Sequence, residues 1–256
     1  MKISFLVNYD LSATWALNEL IPRLTQHEIS VFYTRRPWRR NYPTTLESFM
    51  AFEAAALENL QQSPVASGCV DIERLQVLGC GQVAMLNSVN QADYNTLVAA
   101  EPDVIVSIRH MTILKEAVYA LPEHRVLNLH SGILPTYQGV MSSFWAILNQ
   151  ETNLGTTLHY IEDASIDTGS VIAQTFTPFA SEKSYLWNVL NLYQQGCDAI
   201  YDALETIASG QKLTATPQSG KANYHTFPDA DALARFAKLG YRLFDQNDPI
   251  EFGLAN

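Results

Sequence analysis

The residues of this chain best suited to chemistry lie in the stretch Val126-Leu-Asn-Leu-His-Ser-Gly-Ile-Leu-Pro-Thr-Tyr-Gln-Gly139. Asn128 and His130 are two positions apart, so on an extended backbone they project from the same face. An amide and an imidazole side by side can each donate a hydrogen bond to one oxygen. That arrangement stabilises negative charge developing on a carbonyl. An imidazole serves best there when protonated, which calls for a carboxylate partner. The later loop Glu162-Asp163-Ala-Ser-Ile-Asp167-Thr-Gly169 offers Asp163 and Asp167. Taken one at a time, these residues also have ordinary readings. An Asn or His at a strand end caps a turn, and Asp-Thr-Gly is a common turn. His159, on an alternating stretch, reads as a packed or edge residue.

The elements that must position these groups follow from hydrophobic periodicity. Ile3 to Val7 is a short apolar strand, and Ser12 is placed to cap a helix carrying Trp15, Leu17, Leu20 and Ile21 and ending near His27. Ile29 to Tyr33 is the next strand, a helix spans about Thr45 to Asn59, and Leu75 to Leu78 reads as a strand. A helix over Asp93 to Ala100, a fully buried strand over Val104 to Ile108, a helix over Leu114 to Tyr119 and a strand over Arg125 to Leu129 follow. Strands alternating with helices, several continuously apolar, imply an α/β fold: a Rossmann-like, mostly parallel sheet with helices on both faces. Asn128 and His130 then fall at the carboxyl end of a strand, where such sheets bind ligands. Beyond Asn149, Thr156 to Ile161 and Val171 to Phe176 alternate as strands. A long helix over Lys183 to Ala208 and a shorter one over Asp229 to Leu239 form a C-terminal helical and irregular extension. Residues 1–182 are thus expected to be the catalytic domain, with 183–256 packed on it.

Composition narrows the classes of function. With 47% hydrophobic and 16% charged residues the chain can bury a substantial core. A net charge of -10 disfavours a broad nucleic-acid interface, which needs many phosphate-neutralising cations. Three cysteines without ligand or redox spacing suggest neither a metal site nor a disulfide framework. The apolar run near the N-terminus is too short for a signal peptide, and no stretch is long enough to span a membrane, so a cytoplasmic protein is expected. No glycine-rich phosphate loop follows the first strand, where the sequence is Val7-Asn-Tyr-Asp-Leu-Ser12, so the sheet does not imply a nucleotide cofactor. One basic patch stands out: Arg35-Arg-Pro-Trp-Arg-Arg40 places four arginines and a tryptophan at the end of the second strand. Guanidinium groups suit phosphate or carboxylate, and Trp38 can stack on a ring. Arg35, Arg36, Trp38, Arg39 and Arg40 are therefore candidate substrate-binding residues, the competing reading being a solvated loop. Tyr224-His-Thr-Phe-Pro228 is a further candidate wall for a substrate pocket.

Together, Asn128-Leu-His130-Ser-Gly-Ile-Leu134-Pro135, the later Gly139, the Trp145-Ala-Ile147-Leu-Asn block and Asp167-Thr-Gly169 resemble the folate-dependent formyltransferase family. That family includes glycinamide ribonucleotide, methionyl-tRNA and amino-sugar N-formyltransferases. The resemblance is close over Asp103 to Gln174 and loose over the N-terminal strands. It implies transfer of a formyl group from N10-formyltetrahydrofolate, as co-substrate, to an amine. Asn128 and His130 would stabilise the tetrahedral intermediate. Asp167 would keep His130 protonated and, through a water, help move the amine proton to the leaving folate nitrogen. Met111, Thr112, Ile113 and Leu114, together with Ile133, Leu134, Pro135 and Asp163, would hold the folate; no metal is implied.

The chain departs from the family pattern at Ile108-Arg109-His110, at Gly132 in place of a usual Ser, and around Thr136-Tyr137-Gln138. These departures bear on the acceptor more than on the chemistry. A small amine is expected, from an amino sugar or an amino acid, with an anionic group for the arginine loop to hold. The purine enzyme is disfavoured because its phosphate loop is missing, and the tRNA enzyme because of the acidic composition and the absence of its further C-terminal barrel. The tRNA activity and a formyl-folate hydrolase are the alternatives, and a homodimer is compatible with the sequence.

Overall fold

In a computed structural model, which describes residues 1–35, 41–62 and 69–248, the chain forms a seven-stranded sheet with helices on both faces. The first strand, β1 (Lys2–Asn8), lies between β2 (Glu28–Thr34) and β4 (Val104–Ile108), and β3 (Gln82–Met85) forms one edge beyond β2. On the other side β4 pairs with β5 (Val126–His130), and all five of these strands are parallel. Then the direction reverses: β7 (Asn153–Ile161) pairs antiparallel with β5, and β8 (Val171–Pro178) antiparallel with β7. The central strands are apolar on both sides because both faces are covered. Ile3, Phe5 and Val7 join one buried cluster, while Leu6 between them joins another with Phe32, Ile105 and Val126.

Helix α1 (Leu11–Leu20) is buried along its whole length. Its cap is Asp10, not Ser12: Asp10 is extended and its Oδ1 accepts the Ala13 N–H at 2.9 Å. A carboxylate suits the positive end of a helix dipole, and Ser12 already lies inside the first turn. Pro22, lacking an N–H, ends the regular helix, and a 3-10 turn over Ile21–Leu24 follows. The segment Leu75 to Leu78 is likewise not a strand. It belongs to a 3-10 helix over Ile72–Leu78, started by Asp71, whose side chain accepts from Glu73 N–H, and stopped by Gly79 at φ 101°. Ile72 and Leu75 are buried, but Val77 is exposed, as a helical turn rather than a strand dictates. The edge strand β3, which follows, is short and half exposed and so carries little hydrophobic signal.

The remaining helices are α2 (Thr44–Gln62), α3 (Tyr94–Ala99), α4 (Glu116–Tyr119), α5 (Ser142–Leu148), α6 (Tyr185–Ala208) and α7 (Ala230–Lys238). The long helix α6 packs on α1, β7 and β8. It passes over β5 and β7 at Gly196, where a Cβ would lie 3.0 Å from a Leu129 methyl and 3.2 Å from Thr156 Oγ1. After α6 the chain returns to form β9 (Tyr224–His225), parallel to the short β6 (Gln138–Gly139). Phe236 of α7 stacks on Phe144 of α5 with ring centroids 4.6 Å apart, which fastens the C-terminal segment to the body of the fold. Among the described residues no helix is long and apolar enough to cross a membrane.

Candidate active site

Asn128 and His130 stand at the carboxyl end of β5, on the same face of the strand. The antiparallel register places His159 of β7 directly opposite Asn128. The Asn128 Nδ2 lies 3.0 Å from His159 Nε2, while His159 Nδ1 lies 2.8 Å from the Tyr160 carbonyl. A carbonyl only accepts, so Nδ1 of His159 carries a proton and Nε2 faces the site. The same reasoning orients His130. Its Nε2 donates to the Tyr137 carbonyl at 2.7 Å, with Ser142 Oγ at 3.0 Å. Its Nδ1 is thereby turned toward Asp167.

Asp167 stands between the two imidazoles. Its Oδ2 is 3.5 Å from His130 Nδ1 and its Oδ1 is 3.6 Å from His159 Nε2, and Oδ2 also accepts the Gly139 N–H at 2.8 Å. Burial by itself would raise the Asp167 pKa. The charge of His130, the hydrogen bond and charge of His159, and the Gly139 amide together outweigh it, taking the pKa from 3.8 to about 2. The loop that delivers Asp167 joins β7 to β8, so the reversal of strand direction after β5 is what brings it back to the sheet edge. Gly132 gives the turn after β5 its close packing. A Cβ there would meet Ser142 Cβ at 2.5 Å and His130 Nε2 at 2.9 Å, so no Ser fits without displacing the imidazole.

These groups open into a cleft of about 1010 Å³. Met111, Thr112, Ile113, Leu114 and Asp163 line it, as do Tyr224, Thr226 and Phe227 of the C-terminal segment. Ile133, Leu134 and Pro135 are not among the lining residues. Leu134 is buried, with its N–H donated to Thr157 Oγ1 at 3.1 Å, and the Pro135 carbonyl accepts from Asn223 N–H at 3.3 Å. This segment is tied to β7 and to the C-terminal segment. Arg35 does line the cleft, but its guanidinium is occupied. It bonds Glu73 at 2.8 Å and lies 3.7 Å over the Tyr9 ring. Arg36, Trp38, Arg39 and Arg40 lie outside the described residues.

Two features escaped the sequence reading. His159 looked like a packed strand residue, and it is indeed buried, yet it touches both Asn128 and Asp167; only the β5–β7 register reveals this. On the opposite wall, Arg109 sits at φ 56° with its Nε bonded to Asp10 Oδ2 at 2.8 Å. Glu53 of α2 lines the same wall, and burial first, then the Asp10 carboxylate, push its pKa up to about 8 against the pull of Arg109.

An open α/β sheet that gathers an amide, two imidazoles and a buried carboxylate at its carboxyl edge defines a class of protein equipped to stabilise charge on a carbonyl oxygen and to move a proton beside it. The comparisons with known proteins are more particular. Residues 73–186 match the family model described as formyl transferase. The chain is 33% identical over 139 residues to a methionyl-tRNA formyltransferase of Chlorobium chlorochromatii, an alignment covering 54% of this chain and 44% of that protein. The chain thus spans less than half the length of the curated relatives it matches. Its fold is similar to that of a sugar N-formyltransferase from a Shewanella species, with TM-score 0.58, 17% identity, and coverage of 89% of this chain and 77% of the other. It is also similar to an N-formyltransferase from Helicobacter canadensis solved with folinic acid and dTDP-3-aminofucose, with TM-score 0.56, 17% identity, and coverage of 89% and 71%.

Proposed function

We propose that this protein transfers a formyl group from N10-formyltetrahydrofolate to the amine of a small substrate, working in the cytoplasm. The observation that carries the reading is the Asp167 carboxylate held between His130 and His159, with Asn128 beside them, at the mouth of one long cleft. The His130 Nδ1 and the Asn128 amide are the donors that would hold charge developing on the formyl oxygen. Asp167, 3.5 Å from His130 Nδ1, balances a protonated His130 and would relay the proton shed by the attacking amine to the folate nitrogen as its bond to the formyl carbon breaks. Formyl-folate fits the residues present: Met111, Ile113, Leu114, Ile161 and Ile166 give the cleft apolar lining suited to a flat ring system. The folinic acid held by the Helicobacter canadensis relative supports the same co-substrate.

Tyr9, Tyr42, Phe49, Glu53 and Arg109 line the same cleft and would hold the acceptor. Their mixture of rings and charges suits a small polar amine such as an amino sugar, in keeping with the dTDP-3-aminofucose of that relative. The identity shared with methionyl-tRNA formyltransferases favours a second reading, a formyl transfer to charged tRNA, while the net charge of -10 weighs against it. An acceptor screen with formyl-folate, following tetrahydrofolate release, separates the readings. Release only with an amino sugar or another small amine supports the proposal, and release only with charged tRNA supports the second reading. Release without any acceptor identifies a hydrolase, and no release under any condition overturns the assignment.

A further inference from the structure

Asp167 aims its carboxylate at two imidazoles from a left-handed backbone, at φ 55°, a conformation that few residues other than Gly, Asn and Asp adopt. The turn is also held from outside. The Asp167 carbonyl accepts two side-chain amides, from Gln138 at 3.0 Å and from Gln218 at 2.9 Å. The same Gln218 Nε2 also donates to the Gly169 carbonyl at 2.8 Å, so one amide ties together both ends of the Asp167 to Gly169 turn. The two carbonyls dictate the orientation of that amide, because its oxygen in their place would be repelled. The consequence is that Gln218 Oε1 is buried without a hydrogen-bond partner among the described residues, a cost that space-filling alone would not require.

Gln218 belongs to the strap of chain between α6 and β9. On one side of it Thr216 exchanges both backbone hydrogen bonds with Val171, each at 2.8 Å. On the other, β9 pairs with β6, whose Gly139 N–H is the one bonded to the Asp167 carboxylate. The strap is thus anchored on both flanks of the carboxylate loop.

We propose that Gln218 is a positioning residue: by gripping the Asp167 and Gly169 carbonyls it fixes the left-handed turn and with it the aim of the Asp167 carboxylate at His130 and His159. The kinetic consequences rest on the formyl-transfer reading above, but the structural claim does not.

The test therefore begins with a measurement that needs no substrate. The ring resonances of His130 and His159 are recorded by NMR in the wild-type protein, Asp167→Asn, Gln218→Leu and Gln218→Asn. Both Gln218 variants should move the two ring signals in the direction that Asp167→Asn moves them. In a formyl-transfer assay Gln218→Leu should lower kcat by ~10-fold, since small displacements of a reacting group are costly, with the KM for formyl-folate changed by less than about twofold. In an Asp167→Ala background the same substitution should have no further effect on kcat, because its target is gone. Ring signals that match wild type in the Gln218 variants, beside a clear shift in Asp167→Asn, overturn the proposal. So does an undiminished loss of kcat in the Asp167→Ala background. Should Gln218→Leu fail to fold, Gln218→Asn, which keeps an amide but shortens its reach, decides by the same signals. If no acceptor supports turnover, the ring signals decide alone, and the failure belongs to the formyl-transfer reading.

Discussion

Replacing Asp167 with Asn preserves the size of the side chain and its capacity to accept the Gly139 N–H, and removes the negative charge between the imidazoles, leaving an NH2 where an oxygen faced His159. The loss can be sized from the titration of the carboxyl. Its pKa falls from 3.8 to about 2 on folding, and with the side chain only 11% exposed little of the effect is screened by solvent. A shift of that size corresponds to about 2 kcal/mol. The sign follows from the depression: the folded state favours the ionised form, so the stabilisation is complete above the unfolded value and is lost as pH falls through the folded one. Wild type should therefore exceed Asp167→Asn by about 2 kcal/mol at pH 6, by roughly half of that near pH 3, and by only about 0.4 kcal/mol at pH 2. Urea unfolding at a series of pH values measures the gap. Turnover should fall by ~10²-fold as well if the carboxylate also handles the proton. A stability gap that persists undiminished at pH 3 would refute the electrostatic reasoning. Normal kinetics with a lowered stability would leave Asp167 a structural residue, with Asp163 the next carboxylate to try.

His130→Ala and Asn128→Ala should each lower kcat by ~10²-fold or more, the usual loss when a donor to a developing oxyanion is removed. Circular dichroism should show the fold intact, and wild-type turnover in either would remove the proposed mechanism. Glu53→Gln should make the protein more stable than wild type at pH 8 to 9 but not at pH 4. A carboxyl raised from 4.5 to about 8 resists ionisation in the folded state, so wild type loses stability as pH climbs through that window; equal melting temperatures at both pH values would count against it. Arg35→Ala should leave the acceptor KM within about twofold of wild type, because its guanidinium is engaged by Glu73 and Tyr9. Arg36→Ala or Arg39→Ala should raise KM more than it lowers kcat, and more so at low salt, if the loop holds an anionic acceptor. Acceptor kinetics at two ionic strengths distinguish these outcomes.

The sequence alone determined those features whose cause is local. The short, mostly apolar runs at Ile3 to Val7 and Val104 to Ile108, alternating with helical periods, fit strands covered on both faces, and both are central strands of the sheet. The two-residue spacing of Asn128 and His130 put both on one face of β5 whatever the surroundings. Caps and turns were less legible, since Asp10 and Ser12 are both good capping residues and only the backbone conformation at Asp10 chooses between them. The 3-10 helix over Ile72–Leu78 looked like a strand because a short apolar run has no period long enough to tell the two apart. What the tertiary structure decided is everything that depends on pairing across long separations. The β5–β7 register sets His159 opposite Asn128, the reversal at β7 and β8 returns Asp167 to His130, and the strap after α6 brings Gln218 onto the turn that carries it. No local preference of residues 159, 167 or 218 encodes these meetings. They exist because a buried sheet must pair every strand and cover both faces, and that demand is met only once the whole chain has folded.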